Sequence, residues 1–85
     1  MSLEYESRKL EARFSEVSEA FEALKTAVET CSKALAEVAS GSRSWREVLP
    51  AISALLEALG RFEHELSHLA ESASSIISAL TKLEQ

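Results

Sequence analysis

The sequence predicts an all-α chain, an antiparallel hairpin of two long helices that dimerises into a four-helix bundle. Three observations predict it: a shortage of turn-forming residues, a seven-residue hydrophobic repeat in each half, and one short break near the middle. The 85 residues include two Gly, one Pro and no Asp or Asn. Because β-sandwiches, barrels and βαβ units need many such residues at their turns, these folds are nearly excluded. The abundant Ala, Leu and Glu are strong helix formers.

The first half carries apolar residues at positions a and d of the seven-residue repeat. The a positions, interrupted by Ser7, hold Phe14, Phe21, Val28 and Leu35. The d positions hold Leu3, Leu10, Val17, Leu24, Cys31 and Val38. A sustained seven-residue period is typical of helices that supercoil around one another, so this half is predicted to be one long helix.

The second half repeats the pattern without interruption. Its a positions hold Trp45, Ile52, Leu59, Leu66, Ala73 and Leu80. Its d positions hold Val48, Leu55, Phe62, Leu69, Ile76 and Leu83. We expect the a and d side chains of the two helices to form the seam between them.

The break between the halves is the segment 40–44, Ser-Gly-Ser-Arg-Ser. Gly41 is suited to the left-handed conformation that closes a helix C-terminus. Ser44, followed three residues later by Glu47, predicts a capping box that opens the second helix. Because the connection is short, the helices must be antiparallel neighbours. Residues whose numbers sum to roughly 83 then face each other.

The domain prediction is a single hairpin, with helices over about 2–40 and 44–84 and a turn at 41–43. Pro50 lacks an N–H and clashes with the preceding helical turn, so it predicts a kink or a short first turn followed by a restart. Gly60 weakens a helix by about 1 kcal/mol. Because the repeat keeps its phase through Gly60, one continuous helix is favoured over a three-helix alternative.

The hydrophobic stripe is broader than a two-stranded seam requires. Small or apolar residues also occur at g of the first helix and at e of the second, the positions that are usually charged in a coiled coil. We predict that these six residues contact a second hairpin: Ala20, Ala27, Ala34, Leu56, Ala70 and Ile77. Such a wide stripe is typical of a bundle helix.

One motif matches a known metal pattern. His64-Glu65-Leu66-Ser67-His68 is an H-E-x-x-H sequence, in which two histidines one helical turn apart bind zinc in metalloproteases. The repeat places His64 at f and His68 at c, both facing away from the predicted seam. Solvent-facing histidines are therefore the favoured interpretation, and no metal or cofactor is expected. The alternative is a surface zinc or nickel site of His64, His68 and Glu71.

Two further residues invite a functional interpretation. Cys31 lies at d, and we predict a buried thiol that reacts slowly rather than a catalytic one. Trp45 is predicted to pack over the end of the hairpin against Val38. The tryptophan just after the turn, the two-helix plan and the length resemble the Trp-x-Gly family of small hairpins secreted by type VII systems. The position of that family's glycine is Glu47 here, and no functional residue is transferred.

The charge pattern limits the partners. The net charge is −5 and no basic stripe exists, so nucleic acid is excluded as a partner and a membrane is disfavoured. The first twenty residues contain five Glu and no apolar run, so no signal peptide is expected, and the predicted location is cytoplasmic.

We predict a non-enzymatic interaction module, a homodimer that acts as adaptor, scaffold or small regulatory subunit. The alternatives are a secreted hairpin effector, or a fragment of a larger coiled-coil or membrane-curving dimer.

Overall fold

The computed structural model describes residues 2–84 and shows a rod-shaped helical hairpin. Helix α1 spans Leu3–Ala39, a short 3-10 helix spans Trp45–Val48, and helix α2 spans Leu49–Glu84. The two long helices pack side by side in a rod whose Cα extents are 66 × 14 × 14 Å. The prediction of an all-α chain with two helices packed against each other is confirmed.

The turn after α1 is closed by Gly41 in a left-handed conformation, with φ +84°. The Ser42 N–H donates to the Glu37 carbonyl at 2.8 Å, and the Gly41 N–H donates to the Val38 carbonyl at 3.0 Å. This pair of bonds is the Schellman motif, which satisfies carbonyls that would otherwise lack partners at the end of the helix. The role predicted for Gly41 is confirmed.

The start of the second half differs from the predicted capping box. The Ser44 side chain makes no capping hydrogen bond; instead the Glu47 N–H donates to the Ser44 carbonyl at 3.1 Å, which closes a 3-10 turn. Helix α2 then begins at Leu49, and Pro50 is its second residue, where a missing N–H removes no helical bond. The restart predicted from Pro50 is therefore what occurs, and α2 continues through Gly60 without a break.

The seam between the helices is not the predicted pairing of a with d. Its most buried apolar residues are Cys31 and Val48, at d, together with Ala20 and Ala34, at g. The large a side chains lie outside, and Phe21 is 48% exposed. The prediction was wrong because alanines at g let the helix axes approach more closely than the aromatic a residues would.

The register along the seam agrees with the prediction. The rings of Phe21 and Phe62 lie with their centroids 5.9 Å apart and tilted by 45°. Arg61 approaches Glu19 across the helices, with Nη2 3.9 Å from Oε2. Both pairs have numbers that sum to 80–83, so opposite positions were correctly identified even though the rotation of each helix was not.

Candidate association surface and carboxylate–histidine cluster

Most of the large apolar side chains of the hairpin are in contact with water. Among residues 2–84 fourteen large hydrophobic residues are exposed, and nine of these belong to the a positions of the seven-residue repeat. Those nine are Phe14, Phe21, Val28, Leu35, Trp45, Ile52, Leu59, Leu66 and Leu80. Three more, Leu49, Leu56 and Ile77, lie at the adjacent e position of α2. Twelve of the fourteen therefore share two neighbouring helical positions.

These twelve residues form one surface, which we call the apolar face. With d and g directed at the partner helix, the a position lies about a quarter turn to one side. Two antiparallel helices are related by a twofold axis perpendicular to both, so the a series of α1 and α2 lie on the same side of the hairpin. The contact between Phe21, at a, and Phe62, at d, shows an a side chain of α1 reaching across toward α2.

The apolar face is large for a surface left in water. No charged residue occurs in the a series of either helix. At about half exposure, twelve large side chains leave roughly 1,000 Å² in contact with water. The largest apolar patch on a typical monomer is about 300–600 Å², whereas a standard interface buries about 800 Å² per partner. The face is therefore large enough to be an interface.

The opposite side of the hairpin, which we call the polar face, carries the c positions of both helices. A groove of about 410 Å³ runs there between small residues such as Ala23, Thr30 and Ala54. The ion pair between Arg61 and Glu19 lies on this side as well. No helix among residues 2–84 has an apolar stretch long enough to cross a membrane.

The six residues predicted to contact a second hairpin fall into two groups, one inside the hairpin and one on its surface. Ala20 and Ala34 are buried, and Ala27 is half-buried, all in the seam of the hairpin itself. Leu56 and Ile77 are 65% and 64% exposed, at the edge of the apolar face, and Ala70 is exposed beside them. The alanines thus hold the two helices together, while the e residues of α2 remain available to a partner.

Trp45 and Cys31 have contrasting environments. Trp45 is 71% exposed at the turn end of the rod, so most of its side chain is not buried over the end of the hairpin. Cys31 is 6% exposed, as predicted for a buried thiol.

A second group of functional interest lies on the polar face, at the H-E-x-x-H motif. The rings of His64 and His68 have centroids 4.3 Å apart. One ligand atom from each of His64, Glu65 and His68 lies within 4.8 Å of the others. Glu65, rather than the predicted Glu71, is therefore grouped with the histidines. His68, at position c, is half-buried and does not face away from the seam as predicted. Because the seam is formed by positions d and g, and not by a and d, position c lies beside it.

Helix α1 contributes Glu16 to this group. The Arg13 guanidinium donates a 2.8 Å hydrogen bond to Glu16 Oε2 and holds the pKa of that carboxyl below its ordinary value. The neighbouring Glu65 and the positive charge of His68 also lower this pKa, whereas burial raises it. The group thus spans both helices, and sequence reasoning missed its α1 member because Glu16 and Glu65 are 49 residues apart.

Several polar atoms of this group are buried without a partner. They include Glu65 Oε2, His68 Nδ1 and Arg13 Nε. A carboxylate oxygen accepts but cannot donate. A bond between the Glu16 and Glu65 carboxyl groups therefore requires a proton on one of them, and with both ionised the Glu65 oxygen has no partner. We call Glu16, His64, Glu65 and His68 the carboxylate–histidine cluster.

Glu6 is a second polar residue in the seam, near the open end of the hairpin. It is 1% exposed and neither carboxylate oxygen has a hydrogen-bond partner. It lines a groove of about 610 Å³ with Ser75, Ser78 and Lys82 of α2. This position could have been recognised from the sequence. Glu6, Arg13 and Ala20 follow one another at intervals of seven residues, so all three lie at position g of helix α1.

Comparison of the chain with family models, with curated proteins and with solved structures finds no match in any of the three. The functional argument therefore depends on the two surfaces described above.

Proposed function

We propose that this protein is a non-enzymatic helical association module that works as a homodimeric four-helix bundle. In this role it serves as an adaptor, a scaffold or a small regulatory subunit. The observation that supports the proposal is the apolar face, which collects twelve exposed large hydrophobic side chains on one side of a rod. Burial of such a surface is the main favourable contribution to association.

A second copy of the chain fits this surface in length and in chemistry. The apolar face extends from Phe14 and Leu80 near the open end to Trp45 at the turn, so only a rod of similar length covers it. In a twofold-symmetric dimer the same face is presented from both sides. Because neither a series contains a charge, no like charges are forced together at the centre.

The buried core of one hairpin also supports a dimer. Among residues 2–84 its buried apolar residues are three small ones, Ala20, Cys31 and Ala34, and a single valine, Val48. Small side chains bury little area each, and hydrophobic stabilisation is proportional to area. Pairing of the apolar faces adds the Phe, Leu and Ile side chains to the core and gives the hairpin the broad packing that a bundle helix requires.

Sedimentation equilibrium at micromolar concentration tests the proposal. The chain mass is 9.3 kDa, so a dimer has a mass of about 18.6 kDa, twice that value. We expect the dimer mass, together with a melting temperature that rises with protein concentration, since dimerisation stabilises the fold by mass action. A cooperatively folded monomer of 9.3 kDa across this range would contradict self-association and favour a different helical partner for the apolar face.

The alternative functions differ in what covers this face. A secreted hairpin effector would place a different chain against it. A fragment of a longer coiled-coil or membrane-curving dimer would place a second copy or a lipid surface there. Trp45, on which the resemblance to the secreted hairpins partly rests, is one of the twelve exposed residues of the apolar face. The mass measurement therefore separates self-association from pairing with a different chain, whereas a fragment of a longer coiled-coil dimer shares the dimer mass.

A further inference from the structure

Glu6 places a buried carboxylate in the wall of the groove at the open end of the hairpin. The residue is 1% exposed, and among residues 2–84 no group donates a hydrogen bond to either of its carboxylate oxygens. A carboxylate buried in this way is costly unless it is paired. Glu6 also lies in the first turn of α1, where the positive end of the helix dipole favours its ionised form. The groove therefore favours a positive charge beside Glu6.

The rest of the groove limits the kind of cation that fits. Among the described residues that line it, Glu6 is the one acidic residue, and none is a histidine or a cysteine. A metal ion therefore lacks ligands here, because Zn²⁺ takes about four nitrogen, sulfur or oxygen donors and Ca²⁺ about six or more oxygens. The hydroxyls of Ser75 and Ser78 line the groove with Glu6, and Leu3 and Leu83 add apolar surface. This combination suits an organic cation with N–H donors and a short hydrocarbon chain.

A primary ammonium group matches these acceptors. It has three N–H donors and no acceptor, which is enough for both oxygens of Glu6 and one serine hydroxyl. Hydrogen bonds to an ionised partner are about twice as strong as those between neutral groups. An alkyl chain on the nitrogen buries its apolar surface against Leu3 and Leu83. The groove volume of about 610 Å³ falls within the range of about 300–1,000 Å³ that is typical of small-molecule sites.

We infer that this groove binds the primary ammonium group of a small alkylamine, with Glu6 as its counter-ion and Ser75 and Ser78 as neutral acceptors. The site goes beyond the association function and is independent of it. Ser75 and Lys82 occupy c positions, so the groove lies on the polar face, away from the apolar face. Lys82 lines the same groove but donates no hydrogen bond to Glu6. Its positive charge opposes that of the ligand and lowers the affinity.

Titration of the intact chain with hexylamine hydrochloride at neutral pH, followed by amide NMR shifts, tests the site. We expect saturable binding in the millimolar range, with the shifts concentrated at residues 2–6 and 74–83. Hexanol and hexanoate carry the same chain with no charge or with the opposite charge. Each should bind at least about tenfold more weakly, because neither forms a charge-assisted bond to Glu6.

The same titrations give the outcomes that would overturn the inference. Absence of saturable shifts with hexylamine would do so directly. Equal binding of hexanol would show that the groove recognises only the hydrocarbon chain, and tighter binding of hexanoate would show that it recognises an anion. Tighter binding of N-acetyl-lysine amide than of hexylamine would assign the site to a lysine side chain of a protein rather than to a small amine.

A matched pair of variants tests the role of the buried carboxylate. Glu6→Gln removes the charge with little change in shape and should weaken hexylamine binding by at least about tenfold. Glu4→Gln is the control, because Glu4 lies in the same helical turn but is exposed and paired with Arg8, and the affinity should not change. Circular dichroism of each variant reports whether the helices still form. Equal affinities of the two variants for hexylamine would overturn the inference.

A third variant should change the affinity in the opposite direction. Lys82→Met removes the competing positive charge and should strengthen hexylamine binding by about two- to fivefold, as expected of an exposed charge. Weaker binding by Lys82→Met would show that Lys82 holds the ligand, which contradicts the inference. The same titration on Leu56→Glu, a variant of the apolar face, should give an unchanged affinity whether or not the protein dimerises.

Discussion

The two faces of the hairpin use the same helical repeat for different purposes. On the apolar face the a positions expose aromatic and aliphatic side chains, whereas on the polar face the c positions carry small residues, charges and the carboxylate–histidine cluster. Both faces flank one seam of d and g residues. The seam combines large, half-buried d residues with small g residues such as Ala20 and Ala34, and it leaves the large a residues outside.

The two faces also differ in what their polar groups require. The apolar face has no charge to desolvate in its a series, so covering it with protein is favourable. The polar face has buried atoms of Glu65 and His68 that lack partners, so it gains from a proton, water or metal ion rather than from an apolar neighbour. Each of the following variants changes one face or the seam and leaves the other surface intact.

The largest expected effect comes from placing a charge on the apolar face. Leu56→Glu, at a residue 65% exposed in the hairpin, should raise the dimer dissociation constant by at least about 30-fold, because burying the new carboxylate at the interface without a partner costs about 2 kcal/mol or more. Sedimentation equilibrium measures it. Ser53→Glu introduces the same charge three residues away, outside the apolar face, and should leave the dissociation constant nearly unchanged. Equal weakening by both variants would show that the apolar face is not the interface.

A smaller effect is expected from enlarging the seam. Ala20→Leu forces a larger side chain between the helices at a position that is 0% exposed, and overpacking of this kind lowers the free energy of unfolding by about 1–3 kcal/mol. Urea denaturation at fixed protein concentration measures the change. Ala36→Leu, at an exposed position of the same helix, is the control and should change it by about 0.5 kcal/mol or less. If Ala20→Leu is neutral, the helices do not approach each other at g.

The smallest expected effect concerns the polar face and is a shift in titration. Arg13→Gln removes the hydrogen bond that chiefly lowers the pKa of Glu16, so this pKa should rise toward its ordinary value, while Glu65 and His68 still face the carboxyl group. Carboxyl NMR titration in metal-free buffer measures it. Because the pKa of Glu16 is lowered in the folded state, its contribution to stability is present above the unfolded value and is lost as the pH falls through the folded value.

The control for this titration is Arg8→Gln. Arg8 pairs with Glu4 rather than with Glu16, so the pKa of Glu16 should not change. An unchanged pKa of Glu16 in Arg13→Gln would mean that Arg13 does not bond to it in solution.

The wrong pairing of a with d has a simple geometric cause. Around a helix the positions follow the order g, d, a, so d is the centre of a stripe whose two sides are g and a. Both sides are apolar or small in much of this chain, and the pattern alone does not tell which side faces the partner helix. Ala34 and Phe21 illustrate this point. Ala34, at g, is buried in the seam, whereas Phe21, at a, is 48% exposed.

The cluster on the polar face was only half predictable for the same reason. The spacing of His64 and His68 within one helix identified a metal pattern directly. Glu16 joined them only through the register and rotation of the second helix, neither of which is written in local spacing. Glu71, the ligand predicted from local spacing, faces outward and is exposed.

The sequence alone determined the helical class, the turn at Gly41 and the opposite positions along the seam, because composition, backbone conformation and the length of a connection are local properties. Only the tertiary structure decided which side of each stripe is buried. That choice depends on how closely two particular surfaces can approach, and therefore on side-chain volume at Ala20 and Phe21 together rather than at either position separately.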